Sequence, residues 1–272
     1  MKDCVLYLNV FKEKLYNYEI LSLNRTLDLY LGSDICDIKL HIPNTTDTNI
    51  LFDYLRPDIK ERIYDNNLYI CQDNPLLFQS VNGYNNMLLT NFLYNDMSKK
   101  YKYKYMFIVQ IDAFVFNDML KYYIDKNYDY IGSYEYFLYR SSNPLMGNIN
   151  DDKYMYLNGG FSLRNIDKCI EAVNNYCVIP EYLEHNILFD TLVNATYLQE
   201  DSFFSQTLNQ DNIDMKDLIM FGYSNLNSYT IYPLNKYRYP FGCHGIQKSN
   251  FLKQLINNFM EENNINYNNI RL

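Results

Sequence analysis

The sequence predicts an α/β fold with a largely parallel sheet. From the N-terminus onward, β-type apolar runs alternate with segments of helical apolar spacing, and the chain is long and apolar enough for one sizeable core. It has 272 residues, 48% of them hydrophobic, which suits one large domain. The first run, "CVLYLNV" (4–10), reads as a strand. In "KLYNYEILSLNRTLDLYLG", Leu15, Ile20, Leu23, Leu27 and Leu31 recur at helical spacing and stop at Gly32, as in an amphipathic helix with a glycine stop. "CDIKLHI" (36–42) is a second strand, and "NTTDTNILFDYL" (44–55) a helix opened by polar capping residues. Between about residues 56 and 82 the pattern weakens; Pro57 and Pro75 punctuate it, and no order of elements follows.

Further along, "YNNMLLTNFLYNDMSKK" (84–100) predicts one helix and "MFIVQIDAFVF" (106–116) a buried strand with Gln110 and Asp112 in its middle. "NDMLKYYIDK" (117–126) predicts a helix and "YDYIGSYEYF" (128–137) a strand; 140–155 is a polar loop with Pro144 and Gly147. "NIDKCIEAVNNY" (165–176) is a helix, "EDSFFSQTLNQ" starts another at Glu200, and "NNFMEENNINYNNIRL" (257–272) is a polar C-terminal end. No internal repeat or linker marks a boundary.

The net charge of -8 disfavours a polyanionic partner, which would bind against the mean field. The lysine–tyrosine alternation in "SKKYKYKY" (98–105) has the composition of a single-strand nucleic-acid site, yet a solvated strand face explains it as well, and the acidity favours that reading. Six cysteines (Cys4, Cys36, Cys71, Cys169, Cys177, Cys243) form no C-x-x-C pair, so reduced thiols are the simplest account. No apolar run approaches the length of a membrane span, and the N-terminus offers no small-residue cleavage site. A cytoplasmic location is expected, with peripheral contact at the inner face of the cell membrane through exposed tyrosines and lysines as a further option.

Four places hold candidate chemistry. In "QID", alternation puts Gln110 and Asp112 on one face where an apolar strand ends, and a carboxylate there suits Mg²⁺ or Mn²⁺; an Asp in that place also serves as a helix N-cap. "NGGFSLR" (158–164) offers two glycines where a backbone can approach a ligand, or an ordinary tight turn into a strand. In "QED", Glu200 and Asp201 are adjacent carboxylates at a helix start, where negative charge is favourable whatever the function. His244, in the loop-like "YPFGCHGI", is one of three histidines and is either a ligand or a structural side chain.

The order of these segments resembles a bacterial glycosyltransferase-like family, domain of unknown function 5672, over roughly residues 84–246. That family is in turn similar to the fold-type-A (GT-A) glycosyltransferases, including the fringe-like and β-1,3-galactosyltransferase groups. The resemblance implies a GT-A-like, Rossmann-type single domain over 1–272 with a mixed, mostly parallel central sheet flanked by helices. Within it, 1–115 forms the nucleotide-sugar-binding half, 116–250 the acceptor and catalytic half, and 251–272 a C-terminal helix or tail. It also implies Asp112 and His244 as ligands of Mn²⁺ or Mg²⁺, and Gln110, Asp112, Asn158, Gly159 and Gly160 around the donor. Asp201, or Glu200 beside it, becomes the general base, and Arg164 a structural residue. Gln110 departs from the family's D-x-D by replacing its first carboxylate.

The function so implied is metal-dependent, inverting transfer of a sugar from a nucleotide-diphosphate sugar, a UDP-sugar first, to a hydroxyl of a glycan or glycolipid in bacterial surface polysaccharide synthesis. The chemistry asks for these parts: a cation against the departing diphosphate and a carboxylate to take the acceptor's proton. Two alternatives stay open, a non-catalytic carbohydrate- or partner-binding domain on the same fold and a metal-dependent nucleotidyltransferase or phosphodiesterase. Two carboxylates also suit a glycoside hydrolase, which needs no diphosphate or metal site.

Overall fold

Strand β1 (Cys4–Asn9) is buried along its whole length, as expected of a strand covered on both faces of a parallel sheet. The structure, a computed structural model, describes residues 2–65, 68–78, 80–135, 156–176, 199–208, 212–224, 239–267, 270 and 272. The remaining elements in chain order are α1 (Asn17–Tyr30), β2 (Cys36–Pro43), α2 (Thr48–Asp53), α3 (Pro57–Asp65), β3 (Leu68–Asp73), α4 (Val81–Leu88), α5 (Asn91–Asn95), β4 (Tyr105–Gln110), β5 (Ala113–Val115), α6 (Leu120–Lys126), β6 (Tyr130–Glu135), β7 (Tyr156–Asn165), α7 (Ile166–Tyr176), α8 (Glu200–Thr207), α9 (Met215–Phe221), β8 (Gly222–Ser224), β9 (Gly242–His244) and α10 (Asn250–Glu262).

The described strands form one nine-stranded sheet in the order β3-β2-β1-β4-β7-β6-β8-β9-β5. Pairing is parallel from β3 to β4 and again from β6 through β8 to β9; β7 runs antiparallel between β4 and β6, and β5 antiparallel on β9. This is an α/β fold with a mixed, mostly parallel sheet flanked by helices. Strands from both halves of the chain build it. Among the described helices none is long and apolar enough to cross a membrane, and the described cysteines are free thiols.

The expected first three elements and the helix after "NGGFSLR" are present, and several others differ for identifiable reasons. Asp47 caps α2 by accepting from the Asn49 N–H at 2.9 Å. The segment that gave no order holds α3, with Pro57 at its first position where a missing N–H costs nothing, and the edge strand β3. The helix expected over 84–100 is broken into α4, α5 and a π-helical turn at Asp96–Lys100: the Thr90 hydroxyl donates to the Met87 carbonyl at 2.8 Å, competing for the backbone where α4 ends. The polar C-terminal end begins as α10, whose Leu252, Ile256, Phe259 and Met260 are buried at helical spacing. The loop expected at 140–155 lies outside the described residues.

One buried charge ties helices to the sheet's far half. Asp217 on α9 is 1% exposed and accepts from Tyr122 at 2.7 Å and Tyr128 at 2.6 Å, with Lys126 of α6 at 2.9 Å. Burial pushes its carboxyl up, but the lysine and the two phenols outweigh that and hold it below its ordinary value. Asp217→Ala is expected to cost about 2–3 kcal/mol in urea unfolding at pH 7 by orphaning these donors. Because the folded-state value is depressed, the contribution is present above the unfolded value of 3.8 and is lost as pH falls through the folded one. The penalty should therefore shrink in strong acid.

Candidate functional site

The run "MFIVQIDAFVF" is two strands. β4 ends at Gln110, the chain turns at Ile111 and Asp112, and β5 leaves to pair with β9 at the opposite end of the strand order. Asp112 therefore caps no helix. Its main-chain carbonyl accepts from the N–H groups of Gly245 and Ile246, both at 3.1 Å, which fixes the turn against the chain that follows β9. Gly245 has φ +79°, a left-handed conformation that favours glycine, and this bend brings Gln247 back over Asp112.

His244 is the last residue of β9, so it is a strand residue and not the loop histidine the sequence suggests, and it is 7% exposed. Its Nε2 stands 2.9 Å from Gln110 Oε1 and 3.1 Å from Asp112 Oδ1; Nδ1 is 3.5 Å from Ser224 Oγ across the β8–β9 pair. Gln247 Nε2 donates to the other Asp112 oxygen at 2.6 Å. Burial pushes the Asp112 carboxyl up, but the His244 ring, Gln247 and a backbone N–H outweigh it and bring it to about 2. For His244 burial acts downward, and the attraction of Asp112 overcomes it, so the imidazole is raised above its ordinary value. The other described histidine, His41, is a core residue: Nδ1 bonds the Tyr7 hydroxyl, and Nε2 lies 3.5 Å from Asp73.

"NGGFSLR" lies inside β7, not in a turn before it. Opposite it on β6 the pairing jumps from Gly132↔Ser162 to Ser133↔Asn158, so Gly159, Gly160 and Phe161 bulge without partners on that side. The bulge needs small residues because the side chains of His244, Gln110, Glu200 and Arg164 crowd it. A Cβ on Gly160 would lie 2.2 Å from His244 Nε2 and 2.6 Å from Gln110 Oε1; one on Gly159 would lie 2.2 Å from Glu200 Oε1 and 2.7 Å from Arg164 Nη2. Asn158 Oδ1 accepts from the Gly160 N–H at 2.9 Å, and its Nδ2 reaches Asp201 Oδ2 at 3.5 Å.

Glu200 and Asp201 open α8 and have different surroundings. Glu200 is 3% exposed, with Oε2 2.8 Å from Arg164 Nη2, a close ion pair lying off the hydrogen-bonding direction. Burial pushes its carboxyl up and Arg164 pulls it down, leaving it at about 7. Arg164 is fully buried between the Tyr130 and Phe204 rings and donates to Tyr94, Ser162 and the Gly159 carbonyl. Asp201 is partly exposed and accepts from the Ser202 N–H at 2.8 Å.

The four sequence segments thus meet on one bulge. Gln110, Asp112 and His244 lie on one side of Gly160; Glu200 and Arg164 press on Gly159; Asn158 connects to Asp201. Sequence reasoning passed over Gln247 and Ser224. For Gln247 a signal existed, a glycine directly after His244 that lets the chain fold back. Nothing in the sequence marks Ser224, whose place follows only from the β8–β9 register.

No curated protein matches the sequence. Similar solved structures include core-mannan synthase A (CmsA/Ktr4) from Aspergillus fumigatus in a Mn/GDP form, at 14% identity over 76% of this chain and 70% of that one, TM-score 0.43. The galactosyltransferase LgtC, in complex with donor and acceptor sugar analogs, is 11% identical over 89% of this chain and 86% of that one, TM-score 0.45. Mouse xyloside xylosyltransferase 1 in its apo form is 11% identical over 90% and 97%, TM-score 0.48. By name they are a mannan synthase, a galactosyltransferase and a xylosyltransferase. The profile of the family described as protein of unknown function (DUF5672) matches residues 69–244, well over half the sequence, and the chain belongs to that family.

Proposed function

We propose that the chain is a glycosyltransferase that moves a sugar from a nucleotide-diphosphate sugar, a UDP-sugar first, to a hydroxyl of a glycan or glycolipid, in surface polysaccharide assembly. The observation that supports it is the convergence of an acid–imidazole pair and a second, separately held carboxylate on one glycine bulge at the end of a central strand, where ligands gather in α/β sheets.

The donor set fits a divalent cation. A carboxylate, an imidazole and an amide oxygen are acceptable ligands for Mn²⁺ or Mg²⁺, and here Asp112 and Gln110 both face the His244 Nε2, at 3.1 and 2.9 Å. Asp112 and His244 would hold the ion, which when bound supplies Lewis-acid stabilisation of the departing diphosphate. The chain's own side chains do the rest. Gly160 keeps the approach to Asp112 and His244 clear, Asn158 orients Asp201, and Asp201 accepts the proton of the attacking hydroxyl in a direct, inverting displacement. Arg164 and Glu200 brace the bulge from beneath.

Thermal unfolding against UDP-, GDP-, CMP- and dTDP-sugars, with Mn²⁺ or with EDTA, tests the reading. One nucleotide class should raise the midpoint by about 5–10 °C at hundredfold saturation with Mn²⁺, and Asp112→Asn should abolish that shift. No shift with any donor would remove the donor site from this protein. Gln110, neutral where a carboxylate is expected, favours one second reading, a binding domain without turnover. Donor binding with no nucleoside diphosphate released would identify it, whereas release of nucleoside monophosphate or pyrophosphate would indicate attack at phosphorus.

A further inference from the structure

A cavity lies at the other end of the strands that carry the bulge. β7 runs from the glycines down to Asn165, whose N–H donates to the Asp129 carbonyl at 2.9 Å, and Asp129 leads into β6. Gly160 and Asn165 are five residues apart, about 16 Å of extended chain. The cavity there has a volume of about 430 Å³, within the range of small-molecule sites, and is lined by Lys126, Asn127, Tyr128, Asp129, Asn212 and Asp214.

The lining is held from behind. Lys126 and Tyr128 both bond the buried Asp217 carboxylate, at 2.9 and 2.6 Å. Asn127, in the left-handed conformation that closes α6, accepts at Oδ1 from Lys104 at 3.0 Å and Tyr105 at 2.7 Å, and its amide carries two N–H donors besides. Asp214 caps α9 by accepting the Lys216 N–H at Oδ1, 2.9 Å away, and has a second oxygen. Two carboxylates in the wall disfavour an anion. A lysine and two carboxamides bring N–H donors where a hard cation takes oxygens alone. An uncharged ligand whose groups both donate and accept satisfies the whole set, and the hydroxyl is such a group.

We infer that this cavity is a saccharide site distinct from the site of transfer, taking a neutral pyranoside whose hydroxyls bond the carboxylates of Asp129 and Asp214 and the carboxamides of Asn127 and Asn212. The inference goes beyond the function proposed above and does not require that the chain transfer a sugar. With transfer, a glycan long enough to span from the cavity to the bulge is held at two points, and the second contact becomes intramolecular.

Backbone-amide NMR of the full chain tests this by titration with the methyl glycosides of glucose, galactose, mannose and N-acetylglucosamine, and with spermidine. At least one glycoside should shift the amides of Asn127, Tyr128, Asp129 and Asn212 saturably at millimolar concentration, equally with and without Mn²⁺ and UDP. Asp129→Ala, at a partly exposed position, and Asn212→Ala, at an exposed one, should each weaken that binding at least fivefold, and Asp112→Asn should leave it unchanged. Four outcomes overturn the inference: no glycoside moves these amides, spermidine alone moves them, Mn²⁺ with UDP abolishes the glycoside response, or neither alanine variant weakens it. The second makes the cavity a cation site, and the third assigns the glycoside to the transfer site. Failure of the donor-dependent thermal shift, by contrast, removes the transferase and leaves this site standing.

Discussion

Asp201→Asn should lower the release of nucleoside diphosphate in the presence of acceptor by about 10²–10⁴-fold, the usual contribution of a positioned general base, while leaving the donor-induced rise in thermal stability intact. Exposure decides between the two neighbouring carboxylates. Glu200 is closer to the ideal acidity for a base, at about 7, but it is 3% exposed, faces the fully buried Arg164 and has Gly159 against its Oε1. An acceptor hydroxyl cannot reach it without breaking that pair. Asp201 is partly exposed, and Asn158, which spans from the Gly160 N–H to Asp201, can fix its carboxylate relative to the bulge. The variant separates binding from chemistry because Asp201 is not one of the proposed cation ligands, Asp112 and His244. An Asp201→Asn protein within a few-fold of wild type would remove Asp201 as the base, and loss of donor binding in it would make Asp201 part of the donor site.

How much of this was legible in the sequence depends on what each residue signals locally. β1, α1, β2 and α7 were readable because their apolar periodicity is strong and their ends are marked, by Gly32 for α1 and by the glycine-containing strand before α7. α3 and β3 were not, because Pro57 reads as a breaker unless it is known to stand at the first helical position. The run around Asp112 misled differently. Its apolar composition is that of one strand, and only long-range pairing, β4 with β1 and β5 with β9, shows that the chain breaks at Ile111–Asp112. Motif order named Asp112, Asn158, Gly159, Gly160, Glu200, Asp201 and His244, and the structure brings them together. It could not divide labour between Glu200 and Asp201, since burial of one and exposure of the other is set by Arg164, thirty-six residues upstream of Glu200.

Arg164→Met should destabilise the protein by about 3–5 kcal/mol at pH 8, the largest stability loss expected of any single change near the site, because it leaves the Glu200 carboxylate buried without its cation. The loss should depend on pH in a stated direction. Burial raises the folded-state value of Glu200 from 4.5 to about 7 even with Arg164 present. The protonated acid is thus favoured by folding: its contribution is fully present below 4.5 and is lost as pH rises through about 7, a linkage effect on the order of 3 kcal/mol. Removing the guanidinium raises the folded-state value further, so the variant keeps losing stability at pH values where wild type has finished titrating. Urea unfolding at pH 5 and pH 8 should accordingly give a smaller difference between the two proteins at the lower pH. Glu200→Gln, which cannot ionise, should flatten the wild-type dependence between 4.5 and about 7, and adding it to Arg164→Met should recover part of the loss at pH 8. A penalty for Arg164→Met that is the same at both pH values, and unmoved by Glu200→Gln, would place its cost in the lost packing against Tyr130 and Phe204 and the lost bonds to Tyr94 and Ser162, and would leave Glu200 with no part in it.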